Sequence, residues 1–333
     1  MIEYTKDHKN IYDNVLEKNY TNWVKDFPEL LESIPEKYVK KVALILENQT
    51  LFNRFSKQNK TQDENNKKFI EFSLEITKKV FGNFLGFEIV NIQPIISPNA
   101  LLFYTKFNYN NDIIKDIPEF EIAITEENVS AKSRILPKFL IKSKDYKDFL
   151  EKFAKEYRIE IFREIITDLR NNVGTLINAN YNEEEHQIYN NLAEMSEVIH
   201  RKNLKSGLNW IVTGKEIAKK LQKYLQEKVD IDALDEPTYI GTMCSVWKVI
   251  VDPMHPEDEI LAGYHKDEDL CGSYFYCPYI PISTCGNAVG VDGFDIAPTI
   301  LARYSKRLVE LGSSFYGRIK YTKPTESNTN YQI

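Results

Sequence analysis

The pattern of apolar and polar residues along the chain predicts a mixture of helices and strands. The longest helical pattern covers residues 145–172, and at about 1.5 Å per residue this helix would extend for about 40 Å. Its apolar residues recur every four positions and form one stripe: Phe149, Phe153, Tyr157, Ile161, Ile165 and Leu169. Apolar residues three and four positions apart predict further helices in residues 11–24, 35–48, 69–80 and much of 183–226.

Runs of β-branched and aromatic residues predict strands. They occupy residues 87–96, 100–109, 120–124, 208–213 between Gly207 and Gly214, 246–251, 259–264, 273–282 and 314–322. Between the second and third of these runs, the polar stretch NYNNDIIKD favours the turn of a long hairpin that projects from the body. The stretch PTILARYSKRLVELG, residues 298–312, predicts a last helix.

Composition adds limits on the class of protein. A chain of 333 residues with 42% hydrophobic residues predicts two or more modules with substantial cores. The polar segment 56–68 predicts a linker. A net charge of −6 argues against a dedicated nucleic-acid-binding protein. No apolar run has the length of a membrane span, and the start MIEYTKDHKN is too polar for a signal peptide.

Four cysteines and two histidines raise the alternative of a metal- or thiol-dependent enzyme that uses the 255–285 Cys/His cluster. The cysteines, which we expect to be reduced, are Cys244, Cys271, Cys277 and Cys285. A structural zinc site usually contains a Cys-x2-4-Cys pair, and neither these cysteines nor the two histidines have that spacing. We therefore expect Cys277 to be a packing residue and predict no catalytic, cofactor-binding or metal-binding residue.

Several segments, taken in sequence order, resemble one known family. They are ALILENQ, IVNIQPIISPNALLFY, AKSRIL, YRIEIFREII, GLNWIVTGKEIAKKL, WKVIVDP with DEILAGYHK and GSYFYCPYIPI, and ARYSKRL with SFYGRIKY. The family is the major capsid proteins of tailed phages of the T-even myovirus type, which have the Hong Kong 97-type capsid fold. The resemblance extends from about Tyr38 to Tyr321, and its strength lies in the order of the segments.

The resemblance implies an α+β fold with named parts. These are an N-terminal arm over 1–97, an extended loop over 98–136, a peripheral domain over 137–204 with the spine helix 145–172, an axial domain over 205–300, and a return to the peripheral domain over 301–333. The implied function is self-assembly, through hexamers, into the icosahedral or prolate head shell around the double-stranded DNA genome. A capsid vertex paralogue of the same fold, which forms pentamers, is the alternative.

Two sets of site residues follow from the resemblance. The tip of the extended loop would contact a neighbouring subunit through Asn110, Asn111, Asp112, Ile113, Ile114 and Lys115. Ile113 and Ile114 form an apolar pair that would face water in a single subunit. A prohead protease that cuts after Glu in a Leu/Ile-x-Glu pattern would act after Glu32 or Glu47. The loop from Lys106 to Val129 is too short for the large insertion found in T-even capsid proteins.

The implied partners are other copies of the chain, a vertex protein, a portal, a scaffold, a prohead protease and decoration proteins. The DNA would be enclosed without sequence-specific binding, and no cofactor or membrane is involved. The expected location is the virion, after assembly in the host cytoplasm.

Overall fold

The computed structural model describes residues 2–57, 64–110, 113–124, 130–135, 146–180, 185–226, 228–266, 274–289 and 296–322. Within these ranges, no helix has the length and apolar character needed to cross a membrane. The chain packs into two compact units. The first contains Met1–Ile165 and Asp267–Val309, and the second contains Ile166–Lys266 and Glu310–Ile333.

The described ranges contain helices and strands throughout. The helices are α1 (Ile2–Asp26), α2 (Pro28–Leu31), α3 (Glu36–Lys57), α4 (Glu64–Phe81), α5 (Tyr146–Asn171), α6 (Glu185–Asn203) and α7 (Lys215–Leu221). The strands are β1 (Asn91–Ile92), β2 (Ala100–Asn110), β3 (Ile113–Ile124), β4 (Ser130–Ile135), β5 (Thr175–Asn180), β6 (Trp210–Thr213), β7 (Thr238–Met243), β8 (Trp247–Val251), β9 (Glu259–Gly263), β10 (Tyr274–Val289), β11 (Ile296–Leu308) and β12 (Tyr316–Thr322).

The first unit is built around helix α3 and a four-stranded sheet in the order β1-β10-β11-β4. Residues Val42 to Leu46 of α3 are at most 1% exposed, so this helix is surrounded by protein. The Gln49 side chain of α3 donates from Nε2 to the carbonyl of Ile282 and accepts from its amide at Oε1, at 2.6 and 2.9 Å. The pairing of β10 with β11 is irregular between Ile280 and Ser283, and Gln49 satisfies the backbone of Ile282 there.

Helix α5 confirms the predicted spine helix within two residues of its expected bounds. The predicted stripe is buried from Phe153 onward, with Ile165 and Leu169 completely inaccessible to solvent, and Phe149 at its start is half-buried. In the first unit the Tyr157 hydroxyl donates to the carbonyl of Pro281 at 2.9 Å. This helix is therefore held by apolar packing and by a buried hydrogen bond to β10.

The second unit contains a six-stranded mixed sheet in the order β5-β12-β9-β6-β8-β7. Its central strands are short and apolar, and Trp210, Ile211 and Val212 of β6 are completely buried. The Trp210 ring packs against the Tyr316 ring with centroids 5.9 Å apart. Gly263 fits between these rings, since a Cβ at this position would lie 2.5 Å from Trp210 and 2.6 Å from Tyr316.

Two secondary-structure predictions are wrong. Residues 298–312 do not form a helix, because most of this segment lies in strand β11 between β10 and β4. Its buried residues Ile300, Ala302 and Tyr304 alternate as they do in a strand. In the predicted strand 87–96, only Asn91–Ile92 is a strand, although the amides of Gln93 and Ile95 continue to donate to β10.

The two packing units are divided differently from the parts implied by the resemblance. Strands β10 and β11 belong to the first unit, whereas the expected axial domain 205–300 includes all of β10 and the start of β11. The N-terminal 1–97 segment forms helices that build the core of the first unit. The arm, loop, peripheral and axial parts remain predictions about roles in an assembly. The predicted linker 56–68 is partly helical, because residues 56–57 end α3 and residues 64–68 begin α4; residues 58–63 lie outside the described residues.

Candidate assembly surfaces

Strands β2 and β3 form the long hairpin predicted between residues 98 and 136. They pair antiparallel from Ala100↔Ile124 to Asn110↔Ile113, with one irregularity between Leu101 and Leu102. At about 3.4 Å per residue, the eleven residues of β2 extend for about 37 Å. The pairing therefore continues to the two positions that connect the strands.

The base of this hairpin is fixed in the core of the first unit. Leu102, Phe103 and Tyr104 are each less than 10% exposed. Leu102 and Tyr104 belong to an apolar cluster that also contains Phe275 and Cys277 of β10. The direction of the hairpin is thus set by buried side chains.

Gln93 and Tyr12 add polar and aromatic contacts at the same base. The Gln93 side chain donates to the Leu101 carbonyl at 2.7 Å and accepts from the Phe103 amide at 3.1 Å. From helix α1, the Tyr12 hydroxyl donates to the Pro94 carbonyl at 3.0 Å, and its ring centroid lies 5.5 Å from that of Phe103. Sequence reasoning did not assign either residue to the hairpin base. Gln93 lies in a segment that carries the family resemblance, but nothing in that segment indicates its side-chain hydrogen bonds, and Tyr12 is 82 positions from Pro94.

The predicted contact residues lie at the far end of the hairpin. Asn110 ends β2, and Ile113, Ile114 and Lys115 begin β3, so the strand starts within the segment that the sequence predicts as a turn. Asn111 and Asp112 lie outside the described residues. The structure therefore brings Asn110 and Ile113 into register at the last described pair of a hairpin with a fixed base.

The two predicted cleavage sites have different surroundings. Glu32 is exposed and follows the short helix α2 with extended backbone angles, φ −57° and ψ 145°. Ser33 after it has a φ of 68°. Glu47 lies in the middle of α3, where Leu46 and Asn48 on either side are buried and its carboxylate accepts a 3.1 Å hydrogen bond from Trp23 Nε1. A protease can reach the chain after Glu32 without unfolding a helix, but not after Glu47.

The cysteines do not form a reactive group within the described residues. Cys277 is completely buried in the apolar cluster at the hairpin base, as predicted for a packing residue. Burial raises the pKa of its thiol, so the nucleophilic thiolate is disfavoured. Cys244 is exposed in the turn after β7, and Cys271 lies outside the described residues. Cys285 is part of strand β10. No group of three His, Cys, Asp or Glu residues within the described ranges could hold a metal ion.

The two histidines of that segment are buried in the second unit. His265 lies just after β9, and its backbone amide donates a hydrogen bond to Asn209 Oδ1 at 3.0 Å. His255 lies beside the buried carboxylate of Glu259. This carboxylate also accepts hydrogen bonds from the Arg170 guanidinium, with Nε–Oε1 at 2.5 Å and Nη2–Oε2 at 3.3 Å, and Arg318 lies 3.6 Å away. The cluster joins the end of α5 to β9 and β12 by charge pairing.

Comparison with known proteins gives one family. The model of the family described as "Major capsid protein Gp23" matches residues 152–331, which is more than half of the chain. A search of curated proteins finds no significant match.

Solved structures with similar folds share little sequence with the chain. The virus-like particle from Pyrococcus furiosus is 10% identical, with a TM-score of 0.43 and coverage of 75% of this chain and 98% of that one. A Microbacterium phage Oxtober96 structure is 8% identical, with a TM-score of 0.46 and coverage of 71% and 90%. The capsid of cyanophage P-SCSP1u is 9% identical, with a TM-score of 0.41 and coverage of 71% and 88%.

The long helix, the hairpin with its buried base and the two sheets are an α+β fold, the Hong Kong 97-type fold of phage capsid proteins, as predicted. The chain belongs to the major capsid protein Gp23 family of tailed phages. It is accordingly a structural protein that forms the head shell and a component of the virion.

Proposed function

We propose that copies of this chain assemble as hexamers in which the β2–β3 hairpin of each copy contacts a neighbour through residues 110–115. The buried base of the hairpin carries this proposal. A strand pair fixed by Leu102, Phe103 and Gln93 keeps one direction, so its tip can reach a set position on another copy with little loss of conformational entropy. Each contact is repeated around the shell, and many modest contacts together give a stable particle.

Chemical cross-linking of assembled particles tests the contact directly. Lys115 at the tip should form cross-links to lysines of other copies, and these are recognised as light–heavy peptide pairs when isotopically light and heavy chains are mixed before assembly. Cross-links from Lys115 that always join residues of one chain would contradict the proposal. Electron microscopy of the same sample shows whether hexamers form the shell.

We also propose that a prohead protease cuts this chain after Glu32 rather than after Glu47. The exposed, extended backbone at Glu32 supports the first site, and the helical, buried surroundings of Glu47 disfavour the second. A cut after Glu32 would break the covalent link between Tyr12 and the rest of the chain, where the Tyr12 hydroxyl donates to the Pro94 carbonyl at the hairpin base. Maturation would then remove one support of the hairpin.

Intact-mass measurement of the chain from mature particles tests the cleavage site. A chain that begins at Ser33 is the expected product. The variant Glu32→Gln should block this cut, and Glu47→Gln serves as the matched control that leaves it unchanged. A product that begins at Asn48, or cleavage that persists in Glu32→Gln at the same bond, would overturn the assignment.

The remaining roles are proposed on the basis of family membership. The partners would be a vertex protein, a portal, a scaffold and decoration proteins, and assembly would take place in the host cytoplasm around DNA that is not read by sequence. We propose that the chain has no enzymatic activity, on the basis of its membership of a capsid protein family. The vertex paralogue, which would form pentamers, is the second candidate, and the match to a major capsid family favours the hexamer.

A further inference from the structure

Strand β5 is an exposed edge of the six-stranded sheet. Among the strands that the structure describes, only β12 pairs with it, in a parallel register that runs without a shift from Gly317↔Thr175 to Thr322↔Asn180. The side of β5 opposite β12 therefore presents a row of backbone N–H and C=O groups that no described strand uses. Regular, flat edges of this kind readily pair with another strand.

The sequence of β5, TLINAN, contains no charged residue and no proline. Leu176, Asn178 and Asn180 are exposed, while Thr175 and Ala179, at the alternate positions, are buried. Leu176 is a large apolar side chain with 51% of its surface exposed.

The other edge strands of the two larger sheets carry features that oppose pairing. Strand β1 has two residues, which is too short to act as a template. Strand β4 contains Lys132 and Arg134. Strand β7, the opposite edge of the same sheet, has an irregularity between Tyr239 and Gly241, where Gly241 has a φ of 133°. Short length, charge and a bulge are the means by which proteins prevent unwanted strand addition, and β5 has none of them.

We propose that the outer edge of β5 accepts an extended segment of a second copy of this chain, which adds a seventh strand to the sheet. The partner is another copy because the chain belongs to a capsid family, so copies of itself are the neighbours at highest local concentration in the shell. Backbone hydrogen bonds give such a contact its strength, while Leu176 and the two asparagines set which side chains fit opposite them. The contact carries no charge on the β5 side and should depend little on salt.

Hydrogen exchange of the unaltered chain tests this inference without any substitution. Backbone amides in residues 175–180 should exchange at least about tenfold more slowly in shells than in unassembled chain kept at low concentration. Amides of β7 provide the internal comparison and should change less. Equal exchange of β5 in both states would overturn the proposal. Protection seen in particles that contain a second protein, and absent from shells of this chain alone, would assign the edge to that protein and would also overturn it.

Charged substitutions give an independent test. Leu176→Lys and Asn178→Lys change exposed positions, so the unassembled chains should keep normal circular dichroism, while the yield of shells falls by about tenfold or more. The matched control is Tyr239→Lys, which places the same charge on the bulged β7 edge at a residue that is 46% exposed. Normal shell yield from both β5 variants, or an equal loss from Tyr239→Lys, would contradict a specific role of β5. If the proposed hairpin contact is refuted, the expected results for the β5 variants stay the same, because these variants change β5 and leave the hairpin residues 110–115 unaltered.

Discussion

The imidazole Nε2 of His255 lies 3.8 Å from Oε1 of Glu259, and both side chains are at least 96% buried. Burial lowers the pKa of His255 to about 4, because a charged imidazolium would lose its hydration there. The nearby carboxylates of Glu259, Asp252 and Asp258 favour the charged form, while the guanidinium of Arg170 opposes it. Desolvation outweighs these carboxylates, so His255 is neutral in the folded chain at neutral pH.

Acid should therefore destabilise the chain through His255. Below pH 6.5, the pKa of His255 in the unfolded chain, the unfolded state binds a proton that the folded state does not bind until about pH 4. The free energy of unfolding therefore decreases as the pH is lowered from about 6.5 to about 4, and His255 has no effect on it above this window. For one such histidine, the loss between about pH 7.5 and pH 5 is about 2 kcal/mol. Urea unfolding at both pH values should show a smaller loss for His255→Gln than for the unaltered chain. His200→Gln, at an exposed position, should keep the full loss, and identical losses in all three proteins would exclude His255 as the cause.

Ile165 is completely buried on the stripe of α5. Ile165→Asp would place a carboxylate in an apolar site and should cost several kcal/mol, about 3–5, so that the protein is insoluble or forms no shells. Lys152→Asp on the same helix is the control, because Lys152 is 77% exposed and its replacement should cost less than about 1 kcal/mol. Solubility and electron microscopy measure both effects. Normal particles from Ile165→Asp would show that this residue does not face the core.

Cys277→Ala removes one buried sulfur atom from the cluster at the hairpin base. The expected effect is a loss of about 1–2 kcal/mol in unfolding free energy with assembly intact, because the side chain contributes packing and no chemistry. Single changes of Cys271 and Cys285 should likewise leave assembly intact. Elemental analysis of the purified protein should find no stoichiometric zinc. Tightly bound zinc that disappears with any one of these cysteines would require a metal site.

The turn between β7 and β8 has two consecutive residues with positive φ, Cys244 at 53° and Ser245 at 59°. The Val246 amide closes it by donating to the Met243 carbonyl at 3.2 Å. Turns with positive φ at both central positions favour Asn-Gly, because most other residues are strained there. The double variant Cys244→Asn, Ser245→Gly should therefore raise the unfolding free energy by about 0.5–1 kcal/mol. A lower melting temperature than that of the unaltered chain would mean that the contacts of Cys244 and Ser245 stabilise the fold by more than the backbone strain destabilises it.

The local pattern of apolar residues predicts an element correctly where its buried residues repeat with one clear helical or strand period. The stripe of α5 identifies the helix because all of its apolar positions repeat over about seven turns. Residues 298–312 were predicted wrongly for the opposite reason. Their short apolar pattern fits both a helical and a strand period, and they form a strand because β11 pairs with β10 and β4. The hydrogen bonds of Gln49 to Ile282, 233 positions away, have no local signal at all. Candidate contact residues could thus be predicted from order and resemblance, whereas Gln93 and Tyr12, which hold the hairpin, could not.

The hairpin tip provides the most specific test of the predicted assembly contact. Replacing Asn110–Lys115 by a short Gly-Ser turn removes Ile113 and Ile114 but leaves the buried base at Leu102 and Phe103 unchanged. The unassembled chain should therefore keep its circular dichroism and a near-normal melting temperature, since the core is intact, while closed shells are lost because each copy lacks a contact that is repeated at every neighbour. A matched variant with Asn110→Ser and Lys115→Ser keeps the length and the isoleucine pair and should assemble, which separates the apolar contact from the polar residues beside it. If the shortened chain forms shells of normal size and resistance to denaturant, the tip makes no assembly contact, and the hexamer must be held by other surfaces of the chain.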